Sequence, residues 1–260
     1  MNKREIQLFN ALSLDREENA RVFKKTSVNV MPSIVDKYSE QAHFIYELLQ
    51  NADDACATSA KFILTQQHLI FIHDGKRHFS ISDPATEDED RANGKLGDIN
   101  AITAIGLSTK TTDATIGKFG VGFKSVFQYT RSPHIYDSNC NFKIEDYVVP
   151  RLIDDDMSDL YGRRNDETMF CLPFNPDGDG AQTAYEDIAF KLRNLNHPLL
   201  FLQHLQTVSY ECDDFKGSYT KQLEKSYAFG DTTAEHILLH DVVELFDDED
   251  DYVDDDDECV

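Results

Sequence analysis

Residues Phe44–Cys56 read FIYELLQNADDAC and predict one helix with two chemically different faces. At about 100° per residue, Glu47, Asn51 and Asp54 share a narrow arc because they are spaced i, i+4 and i+7. Apolar side chains fill the opposite side, which needs a sheet to bury it. The polar face holds two carboxylates and one amide with no neighbouring cation. Spacing alone favours an ordinary solvated face, so the other motifs must decide whether it is a site.

The composition predicts a soluble protein with a core of useful size. The chain has 260 residues, of which 40% are hydrophobic, enough for one large domain or one domain with an appendage. No apolar run approaches the 18 residues of a membrane span, and the start is not a signal peptide. Five cysteines lack metal-ligand spacing, so reduced thiols are expected. We therefore expect an intracellular, cytoplasmic protein with no membrane partner.

The charge of the chain is strongly acidic. With 25 basic and 48 acidic residues, the formal net charge is −23. Such a surface repels phosphate backbones, which argues against binding naked nucleic acid. It still permits an enclosed anion site built from backbone amides. Residues 247–258 are acidic at ten of twelve positions, and self-repulsion is expected to keep them disordered.

The hydrophobic pattern predicts secondary structure around the opening helix. Residues 2–25 predict two helices that meet near Ser13, and 61–73 predict a β-hairpin ending in Asp74-Gly75. A third short strand is expected at 78–81, followed by a loop over 83–97. The predicted division is an N-terminal helical segment at 1–33, a core at 34–178, a C-terminal helix and strand extension at 179–246, and the acidic tail at 247–260.

Two further stretches contain residue types that suit a nucleotide. Glycines at 117, 120 and 122 precede a short predicted helix, and they allow backbone N–H groups to turn toward an anion. Asp74 at a strand end can accept a hydrogen bond from an exocyclic amine, while Gly75 admits a flat ring. Each motif alone is also common in structural turns.

In their order along the chain, the motifs resemble those of the GHKL (Bergerat-fold) ATPases. ELLQNADDA, a strand followed by DG, LSTK, IGKFGVGFKS and a strand at Thr168 follow one another within residues 34–212. The order is most similar to the chaperone-like branch found in sacsin and no-vein type proteins. The resemblance implies an α+β two-layer sandwich, in which helices cover one face of a mostly antiparallel mixed sheet, with a mobile ATP lid. It also implies that ATP and Mg²⁺ bind.

The resemblance implies a role for each residue of the helix face. Glu47 matches the carboxylate that orients and deprotonates the attacking water, and Asn51 matches the amide whose oxygen binds Mg²⁺. Their spacing suits this chemistry because metal and water must lie side by side. Asp54 matches a residue that lies near the nucleotide and supports the pocket.

The remaining matches would surround the base and the phosphates. Asp74 matches the adenine-reading aspartate, Gly75 the glycine beside the ring, and Thr168 a threonine that assists adenine recognition through water. Two departures are the missing second glycine after Gly75 and Glu167 where glycine usually precedes the threonine. The lid and the phosphate-cradling turn would be formed by Ser108, Thr109, Lys110, Gly117, Gly120, Val121, Gly122, Phe123 and Lys124.

Three functions stay open. The first is slow, Mg²⁺-dependent ATP hydrolysis, because no basic residue that completes the site is identifiable in this chain. The second is a non-hydrolysing ATP-sensing module of a larger multidomain protein, and the third is a chaperone with a protein client. Lid closure would then drive formation of a homodimer or contact with a following domain. The net charge opposes DNA remodelling, and no GxSxG, P-loop or paired-histidine motif is present.

Overall fold

The computed structural model describes residues 1–25, 44–104, 122–154, 161–175, 180–229 and 232–246. The helices are α1 (Lys3–Lys25), α2 (Phe44–Asp54), α3 (Glu87–Ala92), α4 (Asp98–Thr103) and α5 (Gly180–Arg193), with 3₁₀ turns at Pro84–Thr86 and Gly122–Gln128. The strands are β1 (Ser59–Leu64), β2 (His68–His73), β3 (His134–Tyr136), β4 (Asn141–Glu145), β5 (Val149–Leu152), β6 (Thr168–Pro173), β7 (Thr207–Glu211), β8 (Phe215–Phe229) and β9 (Thr232–Leu245).

The strands form one open sheet in the order β5-β4-β3-β6-β2-β1-β7-β8-β9. Every neighbouring pair is antiparallel except β1 and β7, which run parallel. The predicted α+β class with a mostly antiparallel mixed sheet is therefore confirmed. None of the described helices is both long and apolar enough to cross a membrane.

The helices pack on one face of the sheet. Successive residues of a strand point to opposite faces of the sheet, so every second side chain of a strand packs against the helices. We call this alternation the phase of the strand. On β2, Leu69 and Phe71 join the large core that contains residues of α1, α2 and α5. Ile70 and Ile72 point the other way and join a smaller cluster with Tyr136, Met169 and Cys171. The predicted helix layer thus lies on the side to which Phe71 points.

Helix α2 ends as the sequence allows. Its buried residues Ile45, Leu48, Leu49 and Ala52 form the apolar face that was predicted. Cys56 has a positive φ of 59°, and its N–H and that of Ala57 bond back to carbonyls at positions 53 and 52. This left-handed ending satisfies the last carbonyls of the helix.

Three predictions of secondary structure were wrong. Helix α1 is a single helix, because Ser13 is buried within it and donates its hydroxyl to the Pro150 carbonyl at 2.8 Å. The loop expected at 83–97 contains a 3₁₀ turn and α3. The third strand expected at 78–81 does not form, since the N–H groups of Phe79 and Ser80 bond to the carboxylates of Asp137 and Asp98.

Asp53 connects α2 to the segment before β7. Its carboxylate accepts hydrogen bonds from the N–H groups of Gln203 (2.9 Å), His204 (2.7 Å) and Leu205 (2.8 Å). Burial alone raises the pKa of this carboxyl, but the three backbone hydrogen bonds outweigh burial and leave the pKa lowered. The side chain therefore fixes the position of α2 along the sheet.

We expect Asp53→Ala to lower the free energy of unfolding by roughly 2–4 kcal/mol, because three N–H donors lose a charged acceptor. Urea unfolding measures the loss, and Asp54→Ala, at the neighbouring exposed position, is the control, with a change within about 0.5 kcal/mol. The folded pKa is depressed, so the contribution is present above the unfolded pKa of about 3.9 and is lost as the pH falls through the folded value. Equal losses in the two variants would contradict this assignment.

Candidate functional site

A cavity of about 60 Å³ lies between the C-terminal half of α2 and the ends of β2 and β6. His73 ends β2 and Thr168 begins β6, and the antiparallel register sets them side by side. Of the predicted site residues, the cavity brings together Asn51, Phe123 and Thr168. The full lining is Asn51, Ala55, His73, Arg77, His78, Phe79, Asp98, Ile102, Phe123, Thr168 and Phe170.

Aromatic rings form much of the cavity wall. Phe170 lies at the centre of this wall, with ring centroids of Phe79 at 6.1 Å and Phe123 at 5.8 Å. Rings in mutual edge and tilted contact are fixed by their packing. Together with Ala55 and Ile102 they offer apolar surface to a flat ligand, whereas His73, Thr168 and Asn51 offer polar atoms.

Glu47 lies one turn before Asn51 on α2. The carboxylate is half-buried, and burial raises its pKa. Among the residues that the structure describes, nothing donates a hydrogen bond or an opposite charge to it. A Cβ built on Gly122 would collide with Glu47 Oε2, so the backbone after the glycine-rich stretch passes directly against this carboxylate. A larger residue at 122 would therefore have to displace the Glu47 carboxylate from its position.

A buried network joins Thr168 to the segment that follows β2. The Asp137 side chain is fully buried and accepts from Thr168 Oγ1 at 2.7 Å and His78 Nδ1 at 3.0 Å. It also accepts from the N–H groups of Phe79 (3.3 Å) and Asn139 (2.9 Å). The sequence gives no local signal for these contacts, which span up to 59 residues.

His73, and not Asp74, lines the cavity. Asp74 accepts from the Thr58 N–H (2.7 Å), the Thr58 hydroxyl (2.6 Å) and the Ser59 N–H (2.8 Å). Burial raises the pKa of Asp74, but these hydrogen bonds outweigh it and leave the pKa lowered. Gly75 lies behind the cavity, where a Cβ would come within 2.8 Å of both Ala55 Cβ and His73 Nδ1. The predicted adenine-reading carboxylate thus lies outside the lining.

Two other predicted residues also lie outside the lining. Lys124 is buried, and its ammonium donates to the carbonyls of Ile102 (2.7 Å) and Tyr147 (2.6 Å). Burial lowers the pKa of Lys124 to about 7. This side chain is therefore directed into the core, contrary to its predicted position near phosphates. Asp54 is exposed at the end of α2.

The remaining predicted contacts cannot be located on this cavity. Ser108, Thr109, Lys110, Gly117, Gly120 and Val121 lie outside the described residues. Conversely, sequence reasoning missed the polar lining residues His73, Arg77, His78 and Asp98. The phase of β2 is a signal that would have found His73, because it continues the helix-facing series of Leu69 and Phe71.

We expect Gly122→Ala to destabilise the protein by roughly 1–3 kcal/mol, because the new methyl group collides with the Glu47 carboxylate. The φ of Gly122 is not left-handed, so the backbone itself accepts alanine. Urea unfolding of a double-mutant cycle with Glu47→Ala checks the cause, since the double variant should recover most of the loss. Additive effects would contradict the contact.

For Asp74→Asn we expect a lower melting temperature with little change in nucleotide affinity. One carboxylate oxygen accepts both N–H groups and the other accepts the Thr58 hydroxyl, so asparagine keeps one acceptor, reverses the bond to the hydroxyl and loses the negative charge that strengthens all three hydrogen bonds. Thermal unfolding and calorimetric titration on the same samples measure both quantities. Unchanged melting with a tenfold loss of affinity would instead restore Asp74 as a base contact.

Comparison with known proteins agrees with the motif order. The sacsin domain family matches residues 24–158. Protein NO VEIN of Arabidopsis thaliana is 30% identical over 202 residues, covering 66% of this chain and 7% of that protein. Sacsin of Homo sapiens is 31% identical over 115 residues, covering 40% of this chain and 2% of that protein. The chain therefore spans less than a tenth of these relatives.

Among solved structures, the topoisomerase IV ATP-binding domain of Francisella tularensis, in complex with a small-molecule inhibitor, overlaps 65% of this chain and 80% of that chain. The overlap has a TM-score of 0.33 and 19% sequence identity. The match to the sacsin domain family extends over more than half of the sequence. The chain belongs to the sacsin domain family.

Proposed function

We propose that the chain is an ATP-binding module that takes up Mg²⁺ with the nucleotide and hydrolyses ATP slowly. One observation carries the proposal. Glu47 and Asn51 lie one turn apart on α2, the first against Gly122 without a described partner and the second on a cavity with apolar walls. Membership in the sacsin domain family and the order of the motifs support the same function.

The cavity suits the base of a nucleotide. Ligand sites of this kind combine apolar walls with a few polar atoms that fix orientation. Phe123 and Phe170 supply aromatic surface, and His73 supplies a polar edge. The Thr168 hydroxyl donates its proton to Asp137, so its oxygen keeps lone pairs for a water or a ligand.

The residues of α2 suit a cation that arrives with its ligand. Within the described parts of the chain, no group of three or more His, Cys, Asp or Glu side chains could hold a metal. Mg²⁺ typically binds few protein oxygens and completes its shell with water and substrate phosphates. The amide oxygen of Asn51 would hold it here. Bound Mg²⁺ would neutralise charge on the phosphates.

Glu47 is the residue to which we assign the proton transfer. A general base works best when its pKa lies close to the operating pH. Burial raises the pKa of Glu47 from its ordinary value and so moves it in that direction. Without a cation or a donor among the described residues, the carboxylate is available to orient a water and to accept its proton.

Other assignments of the proposed site rest on the resemblance alone. They comprise the lid and phosphate contacts of residues 108–121, which are outside the described residues. The same proposal includes lid closure, which would drive homodimer formation or contact with a following domain. It also includes the binding of a protein client. The cytoplasmic location belongs to it as well.

A non-hydrolysing ATP sensor is the second candidate, and the position of Lys124 favours it. The resemblance implies this lysine near the phosphates, yet its ammonium donates to two carbonyls in the core. An ATP sensor needs a pocket that binds the nucleotide, but it does not need the basic residues that stabilise the phosphates during hydrolysis. Steady-state phosphate release from the wild-type chain separates the two candidates.

We expect Glu47→Gln to keep ATP affinity within about threefold and to lower phosphate release at least about 100-fold, the usual contribution of a general base. Calorimetric titration with Mg²⁺ or with EDTA measures binding, and a coupled phosphate assay measures turnover. EDTA should weaken binding, because without Mg²⁺ the charge of the phosphates is not neutralised beside the Glu47 carboxylate.

Glu186→Gln is the matched control, since this glutamate is exposed on α5. It should leave both binding and turnover unchanged. Undiminished phosphate release in the Glu47 variant would remove the base assignment. Absence of ATP binding by the wild-type chain would overturn the proposed function.

A further inference from the structure

His73 is a buried polar side chain that the proposed chemistry leaves unused. Only 5% of the residue is exposed, and it lines the cavity. Its ring packs against those of Phe71 and Phe170, at centroid distances of 5.8 and 6.2 Å, and these two rings also contact each other at 6.0 Å. A Cβ on Gly75 would lie 2.8 Å from Nδ1, so the backbone closes off one edge of the ring. The imidazole is therefore held in one place on the cavity wall.

The hydrogen bond from Gly75 fixes which nitrogen carries the proton. The Gly75 N–H donates to His73 Nδ1 at 3.1 Å. A backbone N–H can only donate, so Nδ1 must present its lone pair. Burial lowers the pKa of His73 to about 4, and the ring is neutral at physiological pH. The single proton of the neutral ring therefore sits on Nε2.

The Nε2–H group has no acceptor among the described residues. The two nearest carboxylates are occupied: Asp137 accepts four donors, and Asp74 accepts three. Nor is Nε2 sealed inside the protein. In the described part of the chain, the enclosed side-chain atoms without partners belong to Arg16, Ser132, Arg163 and Tyr210. The donor of His73 therefore opens onto the cavity.

We propose that His73 Nε2–H donates a hydrogen bond to an acceptor atom on the edge of the bound nucleobase. The acceptor is a ring nitrogen of a purine or a 6-carbonyl oxygen. This inference rests on the proposed function. It makes the protein the hydrogen-bond donor to the base, whereas an aspartate that reads the adenine amine would be the acceptor. The exocyclic amine then contributes little to affinity.

Asp98 is the carboxylate on the cavity lining that could oppose this assignment. One of its oxygens accepts from the N–H and hydroxyl of Ser80, at 3.1 and 2.6 Å. Its other oxygen lies 3.8 Å from the Arg77 guanidinium. If Asp98 read the amine, loss of the amine would weaken binding whatever residue stands at 73.

The test compares nucleotides that differ only in the base. Calorimetric titration of the 260-residue chain would use ATP, purine riboside triphosphate without the amine, ITP with a 6-carbonyl, and 1-deaza- and 7-deaza-ATP without one ring nitrogen. Loss of the amine should change the Kd less than about threefold. One deaza analogue should bind at least about tenfold more weakly if a ring nitrogen is the acceptor. ITP should bind at least as tightly as ATP if the carbonyl is the acceptor.

The variant His73→Asp replaces the donor by an acceptor. Relative to ATP, purine riboside triphosphate, which has neither the exocyclic amine nor a proton on N1, should lose at least about tenfold in affinity in this variant but not in the wild type. His240→Asp, at an exposed position on β9, controls for the added negative charge. If His73→Asp fails to fold, ¹⁵N NMR of the histidine-labelled wild-type chain tests the same point. It should report protonated Nε2 and unprotonated Nδ1 on His73, and a shift of the Nε2–H resonance on addition of ATP.

Three results would overturn the inference. The first is a tenfold loss of affinity in the wild type when the base lacks the amine. The second is an equal affinity of the wild type for every base analogue. The third is a proton on Nδ1 of His73. In each case ATP still binds and the proposed function stands. If no nucleotide binds, the proposed function fails together with the inference.

Discussion

The carboxylate of Asp137 is the constraint on which the geometry of the cavity depends. It is fully buried, and four donors converge on it from three separate parts of the chain: β6, the segment after β2 and the turn after β3. A buried carboxylate must be satisfied in this way, because leaving it unpaired costs several kcal/mol. Satisfying it orders Thr168 and His78 on the cavity lining and holds Phe79 next to Phe170. One polar requirement of the core thereby shapes the wall against which a ligand would lie.

Local periodicity explains what the sequence predicted well. The apolar and polar faces of α2 and the hairpin of β1 and β2 follow from repeats of 3.6 or 2 residues, whereas the α+β class was implied by the family resemblance of the motifs. The same reasoning fails where a motif is read without the phase of its strand. The letters Asp74-Gly75 suggested a carboxylate in the site, yet Leu69 and Phe71 already face the helices, and the next residue in that series is His73. Phase is the stronger physical signal, because it follows from the pleat of the strand.

Contacts between distant residues lie beyond such reasoning. Nothing near Lys124 in the sequence shows that its ammonium will find the carbonyls of Ile102 and Tyr147, which approach only after the sheet has formed. The convergence on Asp137 is equally non-local, as is the use of Asp53 to hold residues 203–205. In α1, the sequence predicted a break between two helices near Ser13. The Ser13 hydroxyl instead donates to the distant Pro150 carbonyl, and the helix continues through this residue. Tertiary hydrogen bonds decide these cases.

Two ionisable groups at or beside the cavity lack partners among the described residues: His73 on the lining and Glu47 on the adjoining turn of α2. Glu47 is half-buried with a raised pKa, so the folded state binds more protons than the unfolded chain over the interval between the two pKa values, and stability falls as the pH rises through it. His73 keeps a donor without a described acceptor. Elsewhere, the buried side chains of Asp53, Asp137 and Lys124 are satisfied by hydrogen bonds to distant residues, although Arg16, Ser132, Arg163 and Tyr210 each keep one enclosed atom without a partner in the described part of the chain. An acceptor on α2 and a donor on β2, both left without partners among the described residues, are what a ligand with complementary atoms would require. The unpartnered His73 donor on the lining, and the unpartnered Glu47 carboxylate one turn from the lining residue Asn51, are the reason to regard the cavity and the adjoining face of α2 as one binding site.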